Sequence, residues 1–481
     1  MPLIKTLYSN PWYVFWVLVF ANVIASFDWM FTSVALPTMA SDFNLPLSRA
    51  AWIPLAGTLT IGALLLPTGS LADLFGRKRL QLFAIVLIFI GSIIAALAPS
   101  PIILISGRIL SSAAVAVIHT QNMAIIAAVF PDAERGKAIG SGVAVSSIGF
   151  LITPLVGGYL IDFIGWQPVY WMIAVLTIPA FIVTVIIMKE SQVSPQRIVK
   201  KLNFDWIGAV LIAVGISLAV ITINAGNDQG WLSLIILVMT VGSFFCIGAF
   251  VLWELNNQNP LFEFRHFANK LFTYSLIVRF FSFFGYAATF FVLPFYIQDV
   301  KGYGADVVGI VLFTGPAGLG IGSLISGRFE DKRILLIFLG LTLATIANIL
   351  FILALWMDVS TLIFAGANLI AGLGFGIWLT PLWALSLAST DKSSYSLGAA
   401  IQNLVRNTSQ LFAIAAATAI ITSIMIAGGF VGDLSEIAND PTGNTASSFI
   451  LGAQIVFIIS AVFGVGTMFA TILVRKHESN E

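Results

Sequence analysis

Ionisable side chains are rare within the long apolar stretches of this 481-residue sequence, and the few that occur there are the first candidates for chemistry. A charge near the centre of a lipid bilayer costs several kcal/mol, so it is usually retained where it faces a cavity or a charged partner. The candidates are Asp28, Arg108, His119, Arg279 and Arg406.

Asp28 and Arg108 lie at similar depths in two different stretches. Asp28 lies before Pro37, near which its stretch ends, and Arg108 lies after Pro101, near which its own stretch begins. Nine positions separate Asp28 from Pro37, and seven separate Arg108 from Pro101. At a rise of 1.5 Å per residue, Asp28 and Arg108 therefore lie about 13 and 10 Å from the same membrane face, so their side chains can meet. A buried carboxylate beside a guanidinium can give up its proton when a cation approaches, which is the chemistry of proton-for-cation exchange. The alternative is a structural ion pair that locks the two stretches together.

The other three candidates leave a structural role open. Arg279 and Arg406 lie about 12 and 15 Å from the opposite face, so Arg279 is expected to snorkel to the lipid headgroups. His119 is either a proton relay or a hydrogen-bonded interhelical residue. Arg406 belongs to a polar stripe that is predicted to face a cavity. The residues of this stripe have the spacing i, i+1, i+4 and i+8 and are Gln402, Asn403, Arg406 and Gln410.

Aromatic side chains are dense in the stretches that contain Arg279 and Trp383. Lipid-facing packing is the expected role for most of them. The alternative for a subset is a pocket that binds flat apolar or cationic ligands by stacking and cation–π contact.

The elements that must position these residues are membrane-spanning helices. The chain is 59% hydrophobic and only 9% charged, which excludes an ordinary water-soluble enzyme. Continuous apolar runs of about 20 residues are expected to be helical, because lipid cannot satisfy backbone polar groups. We therefore predict an all-α protein. Its fourteen spans lie near 12–37, 50–72, 80–98, 101–127, 138–161, 166–188, 206–225, 231–253, 271–297, 305–326, 334–356, 359–385, 396–426 and 448–474.

The basic residues predict the orientation of these spans. With the N-terminus in the cytoplasm, 18 of the 23 Lys and Arg residues fall on the inner side, as the positive-inside rule requires. Both termini are then cytoplasmic. The first span is too long for the apolar core of a signal peptide and is expected to be retained.

Two segments suggest that the chain contains a parallel internal repeat. Val-Ala-Leu-Pro at 34–37 is followed by Gly69, and Phe-Val-Leu-Pro at 291–294 is followed at almost the same spacing by Gly327. A parallel repeat places a substrate site between two halves near the membrane midplane. The predicted division is a six-helix bundle at 1–190, two linker transmembrane helices at 191–269 and a second six-helix bundle at 270–481.

Several other kinds of function have no support in the sequence. No phosphate-binding loop, zinc pattern or strand-bound glycine motif occurs, so we expect no cofactor, no bound metal and no enzymatic activity. The net charge of +1 gives no indication of nucleic-acid binding, and the single cysteine, Cys246, cannot form an internal disulfide.

The sequence resembles the major facilitator superfamily, and in particular its fourteen-span drug:proton antiporters of bacterial inner membranes. Asp28 followed by 34–37 is similar to the first-span motif of that family, whose Asp is associated with proton coupling or cationic-drug recognition. Arg108 falls where the fourth-span motif has its proton-relay Arg. The most specific match is to the superfamily's loop 2–3 motif, which implies a charge latch at the cytoplasmic gate. The matching residues are Gly69, Asp73, Gly76, Arg77 and Arg79.

A fifth-span motif typical of antiporters is matched by Gly149, Pro154, Gly157 and Gly158. The sequence departs from the family at two places, since Ser111-Ser112 stands where the fourth-span motif usually has Gln-Gly, and Thr153 stands where the fifth-span motif usually has Gly.

The leading hypothesis is therefore a proton-driven exporter of amphipathic or cationic small molecules that works by alternating access. A transporter of one dedicated metabolite, such as a siderophore or lipid, is the second hypothesis. A non-transporting sensor on the same fold is the third. A periplasmic adaptor partner is expected by analogy only.

Overall fold

The computed structural model describes residues 10–193, 205–257, 269–329, 332–357, 359–388, 395–430 and 443–478. Within these ranges the long elements are helices and there is no β-strand, which confirms the all-α prediction. We number the long helices α1 Pro11–Asp42, α2 Trp52–Phe75, α3 Arg77–Ala96, α4 Pro101–Val129, α5 Asp132–Ile164, α6 Gln167–Ile187, α7 Trp206–Gln229, α8 Leu234–Asn256, α9 Lys270–Phe295, α10 Ala305–Arg328, α11 Arg333–Met357, α12 Thr361–Ala388, α13 Tyr395–Ala427 and α14 Asn444–Glu478.

Among the described residues, 12 helices are long and apolar enough to cross a membrane. The two long helices outside that set are α2 and α5, which contain residues whose side chains are not described. Both are 24 residues or longer, and a count of fourteen spans stays a prediction. We call the side of the bundle where α1 ends the distal side, and the side where α1 begins the proximal side.

Local sequence explains where individual helices begin. The Asn269 side chain accepts hydrogen bonds from the backbone N–H groups of Leu271 and Phe272, at 2.9 and 3.2 Å, and so caps the start of α9. Pro101 begins α4, where its fixed φ suits the first helical turn. These starts set the register of the helices that carry Arg279 and Arg108.

Gly76 makes the sharp turn between α2 and α3. Its φ of 94° lies in the region that side chains with a Cβ rarely adopt. The carboxylate of Glu190 lies over this turn and accepts hydrogen bonds from the backbone N–H groups of Lys78 and Arg79, at 3.4 and 3.3 Å. A Cβ on Gly76 would lie 2.6 Å from Glu190 Oε1, but this is the flexible end of its side chain, so it is the positive φ that requires glycine.

Helix α1 continues through Pro37 to Asp42, whereas the sequence predicted that the span would end at Pro37. A proline inside a membrane helix is tolerated where a neighbour satisfies the freed backbone groups. Pro37 leaves the Ser33 carbonyl without its helical donor, and Gln298 Nε2 supports the helix at this turn by donating to the neighbouring carbonyl of Val34 at 3.1 Å.

The helices pack as two groups with one helix pair beside them. Helices α1–α6 pack mainly with one another, and so do α9–α14. Close backbone approach within each group occurs at glycines, as where Gly318 and Gly322 of α10 face the backbone of α12. The pair α7 and α8 is joined to the rest through α7, which lies against α2 of one group and α13 of the other.

Candidate functional site

Asp28 and Arg108 form an ion pair between α1 and α4. Arg108 Nη1 lies 2.5 Å from Asp28 Oδ2 and donates a second hydrogen bond to the Asp28 carbonyl at 3.1 Å. Both residues are 2% exposed, so water contributes little to the stability of either charge. The depth comparison made from the sequence thus correctly placed the two side chains together.

The pair is incompletely satisfied. Asp28 Oδ1 and Arg108 Nε are buried and have no hydrogen-bond partner in the described part of the chain. An unsatisfied carboxylate oxygen in a dry site costs about 1–3 kcal/mol, and more when charged. The vacant lone pairs of Oδ1 can therefore accept a proton or a hydrogen bond from a bound molecule.

Tyr170 of α6 belongs to the same cluster, which the sequence did not predict. It is fully buried, and its phenol interacts electrostatically with both Arg108 and Asp28. Its hydroxyl makes no hydrogen bond of ordinary geometry to a described residue. A signal was available, since Tyr170 carries a hydroxyl in a largely apolar helix and lies in the same distal half of the bundle as Arg108.

Arg279 of α9 is buried and does not snorkel. It is 2% exposed, and its Nε and Nη1 atoms donate to the backbone and side-chain oxygens of Gln402 on α13, at 3.1 and 3.3 Å. Its guanidinium lies over the rings of Phe283 and Trp383, 5.1 and 4.6 Å from their centroids. The prediction that it reaches the headgroups is wrong, because the amide of Gln402 and two aromatic faces hold it inside the bundle.

Arg406 lies one helical turn after Gln402 on α13 and is half-buried. Its Nε is buried without a hydrogen-bond partner among the described residues. Its positive charge acts on both Arg279 and His119, which places basic groups from α4, α9 and α13 near one another.

The aromatic residues of α9 and α12 are mostly buried between helices rather than exposed to lipid. Phe283 is 5% exposed and Trp378 is fully buried, and the two rings meet edge to face at 5.9 Å between centroids. Tyr286 stacks on Phe375 at 4.3 Å. The expectation of lipid-facing packing is therefore wrong for these rings.

The loop 2–3 motif is only partly visible. Gly69 and Asp73 lie in α2, and their side-chain surroundings are outside the part that the structure describes. Arg77 Nη1 donates to the carbonyls of Ala124 on α4 and Val193 after α6, at 2.9 and 3.0 Å. These bonds tie the proximal ends of helices within the α1–α6 group. Arg79 is exposed.

The fifth-span motif lies where α5 contacts a helix of each group. On one side Gly149 and Gly157 face Val23 and Phe31 of α1. On the other side, a Cβ on Gly158 would collide with the Ala305 carbonyl of α10, and a Cβ on Gly309 would collide with the Pro154 carbonyl of α5. The small residues thus permit direct backbone contact between the two groups in the distal half of the bundle. These motif residues are Gly149, Pro154, Gly157 and Gly158.

The two helix groups are also joined by side-chain hydrogen bonds. Among the described residues, the bonds that join the groups directly lie on the distal side. Thr38 Oγ1 of α1 donates to Gln298 Oε1 at 2.9 Å, and Gln298 Nε2 donates back to the Val34 carbonyl. Trp29 of α1 packs against Phe290 of α9, 6.1 Å between ring centroids. The distal ends of the two groups are therefore held together.

The distal end of α7 is bonded to both groups. Asn224 Nδ2 donates to the Ser48 carbonyl at 2.9 Å, and Ser48 Oγ donates to the Asp228 carboxylate at 3.0 Å. On the other side Asn227 Nδ2 donates to the Ala419 carbonyl of α13 at 2.7 Å, and Ser423 Oγ of α13 donates to Asn227 Oδ1 at 2.9 Å. Helix α7 thus links the segment between α1 and α2 to α13.

A bundle of membrane helices in two groups, with buried charges near the middle, defines a polytopic membrane protein that handles a solute. The sequence profile of the Major Facilitator Superfamily matches residues 18–414. The chain belongs to this superfamily and is a membrane transporter.

Relatives and solved structures agree with this assignment. The chain is 25% identical over 98% of its length to the riboflavin transporter RibZ of Clostridioides difficile, covering 99% of that protein. It is 24% identical over 94% of its length to the lincomycin resistance protein LmrB of Listeria monocytogenes, covering 95% of it. It is 25% identical over 79% of its length to the multidrug resistance protein Stp of Mycobacterium tuberculosis, covering 70% of it.

The fold is shared with an inward-facing bacterial homologue of the human lysosomal transporter Spinster. The TM-score is 0.68 at 16% identity, and 97% of each chain is covered. A D-xylose–proton symporter matches with a TM-score of 0.61 at 14% identity, covering 94% of this chain and 97% of that one.

Proposed function

We propose that this transporter exports amphipathic or cationic small molecules from the cytoplasm and is driven by protons that enter in exchange. The observation that carries the proposal is the buried Asp28–Arg108 pair, whose carboxylate keeps one oxygen without a partner among the described residues. A carboxylate in this position has two competing uses, binding a proton and neutralising a cation. Competition of that kind is what couples two opposite fluxes.

In the proposed cycle, a proton on Asp28 neutralises the carboxylate and weakens its bond to Arg108. Deprotonation restores the ion pair. Each state favours one facing conformation, and substrate binding favours the conformation that protonation disfavours. The loop 2–3 residues Asp73 and Arg77 would bias closure of the cytoplasmic gate.

We infer that the proximal side faces the cytoplasm, because 18 of the 23 Lys and Arg residues fall on the side that the positive-inside rule assigns to it. Both termini would then be cytoplasmic, in a bacterial inner membrane. The distal bonds of Gln298 and the contact between α5 and α10 would make this conformation inward-facing, with the outer gate closed.

The division into two bundles with a linker pair is part of the same proposal. Helices α1–α6, within 1–190, would move against α9–α14, within 270–481, with α7 and α8 between them at 191–269. The family likeness to Stp and LmrB, both named for drug resistance, supports multidrug export as the substrate range.

The decisive experiment is dye efflux from proteoliposomes with an imposed pH gradient. Wild-type protein should move ethidium against its gradient when the driving pH difference is applied. Asp28→Asn should abolish the response to the pH difference at unchanged expression. Glu134→Gln, which removes an exposed carboxylate at the proximal start of α5, is the matched control and should behave as wild type. Unchanged proton-coupled efflux in Asp28→Asn would reject the role of this carboxylate.

A transporter of one dedicated metabolite is the second candidate. It is favoured by the match to the riboflavin transporter RibZ over nearly the full length of both chains. Broad drug sensitivity of a deletion strain would favour the exporter, whereas a change in the level of one metabolite without drug sensitivity would favour the dedicated transporter.

A further inference from the structure

Two arginines inside the bundle, Arg279 and Arg406, lack the acidic partners that buried charges normally have. Neither forms an ion pair with any described residue. Two guanidinium groups near each other inside a bundle repel, and neither is neutralised within the described part of the protein. Such an arrangement is complementary to a negative charge on a bound molecule.

Depth places the three basic side chains in one layer of the bundle. Arg279 and Arg406 follow the proximal starts of α9 and α13, and His119 precedes the proximal end of α4. At a rise of 1.5 Å per residue, Arg279, His119 and Arg406 are about 14, 15 and 17 Å from the proximal ends of their helices. Since α4 belongs to one helix group and α9 and α13 to the other, the layer spans both groups.

Hydrogen-bond donors in this layer are unused. Arg406 Nε and Gln402 Nε2 are buried donors with no partner in the described ranges, and Gln402 is 1% exposed. Both belong to the same face of α13, since they lie at positions i and i+4. Gln402 also fixes Arg279 through its two oxygens. An anion between Arg279 and Arg406 would satisfy the free donors and screen the repulsion of the two charges.

The aromatic faces beside Arg279 indicate what the rest of the ligand is. Trp383 and Phe283 lie against the guanidinium, so the anionic site adjoins flat apolar surface. A ligand with an anionic group on an aromatic body fits both features.

We propose that Arg279 and Arg406, with Gln402, form a binding site for the anionic group of an aromatic amphipathic substrate. The inference rests on the proposed transport function and narrows its substrate class. Asp28 and this site would then give the protein two separate charged subsites of opposite sign.

The test uses full-length protein in nanodiscs and three probes that share one ring system: 1-naphthoate, 1-naphthamide and 1-naphthylmethylammonium. Isothermal titration should show that the wild type binds naphthoate at least about tenfold more tightly than naphthamide. Arg406→Gln and Arg279→Gln should each remove this preference for the anion and leave naphthamide binding unchanged. Arg406→Lys should keep part of the preference, because it retains the charge without the planar fork of donors.

Arg49→Gln is the matched control, since Arg49 is an exposed arginine on the distal side. It should leave all three affinities unchanged. Equal binding of naphthoate and naphthamide to wild-type protein would overturn the proposal, and so would an unchanged preference in the Arg279→Gln/Arg406→Gln double variant. Circular dichroism and size-exclusion profiles establish that each variant is folded before titration.

Failure of this site is distinguishable from failure of the transport proposal. If wild-type protein exports ethidium with the pH gradient but shows no arginine-dependent preference for naphthoate, only the anion site is rejected. If the arginines control naphthoate binding but no proton-driven flux is found, the transport proposal is rejected and the site remains.

Discussion

Arg108 contacts Asp28 twice, through the carboxylate and through the backbone carbonyl of the same residue. The second contact fixes the guanidinium to the backbone of α1, so it would persist when the carboxylate is neutral. Protonation of Asp28 would thus change the charge of the pair while leaving a backbone link between α1 and α4.

The first prediction concerns the stability of this pair. Arg108→Gln should lower the unfolding free energy by about 3–5 kcal/mol, because it leaves a buried carboxylate without its partner. The double variant Asp28→Asn/Arg108→Gln should lose less than Arg108→Gln alone, since no unpaired charge remains. Reversible unfolding in mixed micelles measures both. Losses that simply add in the double variant would show that the two groups are not coupled.

The second prediction concerns the contact between α5 and α10. Gly309→Ala should reduce transport severalfold, because the new Cβ would collide with the Pro154 carbonyl and separate α5 from α10 on the distal side. Gly320→Ala is the control on the same helix, where a Cβ meets nothing within 4 Å. Equal transport rates for the two variants, measured by dye efflux, would contradict the role of this contact.

The third prediction concerns the turn at Gly76. Gly76→Ala should destabilise the protein by about 1–3 kcal/mol from backbone strain, because its φ of 94° suits glycine and the Glu190 carboxylate can move away from the added Cβ. Gly62→Ala on α2 meets no atom within 4 Å and should cost little or be neutral. The midpoint of thermal unfolding in detergent reports the difference. A Gly76→Ala midpoint at or above that of Gly62→Ala would be inconsistent with a strained turn.

The fourth prediction concerns the link from α7 to α13. Asn227→Ala removes two hydrogen bonds to α13, each worth about 1 kcal/mol, and an exposed bond from Trp231, so amide hydrogen exchange at the distal end of α7 should become faster by about tenfold or more. Asn256→Ala removes only a bond within α8 itself, 2.8 Å to the Leu252 carbonyl, and serves as the control. The expected result fails if exchange over residues 222–230 is the same in the two variants.

The sequence predicted the helical class and the meeting of Asp28 with Arg108, because both depend on quantities that are visible along one chain. Apolar length gives the helices, and a constant rise per residue gives depth. The contact of Arg279 with Gln402 could not be predicted in this way. It depends on the rotation of α9 and α13 about their axes, which packing decides and hydropathy does not encode.

The same limit explains why Tyr170 and the α7 contacts were missed. A hydroxyl or amide in an apolar helix signals that some partner exists, but not which helix supplies it. The continuation of α1 past Pro37 was missed for a related reason, since the supporting side chain, Gln298, belongs to the other helix group and is remote from α1 in the sequence.

The two attachments of α7 differ in strength. The attachment to Ser48 includes a buried amide–carbonyl bond and a bond to the negatively charged Asp228, whereas the attachment to α13 uses only neutral, partly buried groups. Bonds to charged acceptors are the stronger ones. If the two helix groups rotate against each other, the bonds to α13 are therefore the first to break. Helix α7 also packs against both α2 and α13, so such a rotation would have to slide α7 along one of these two helices once the bonds are broken.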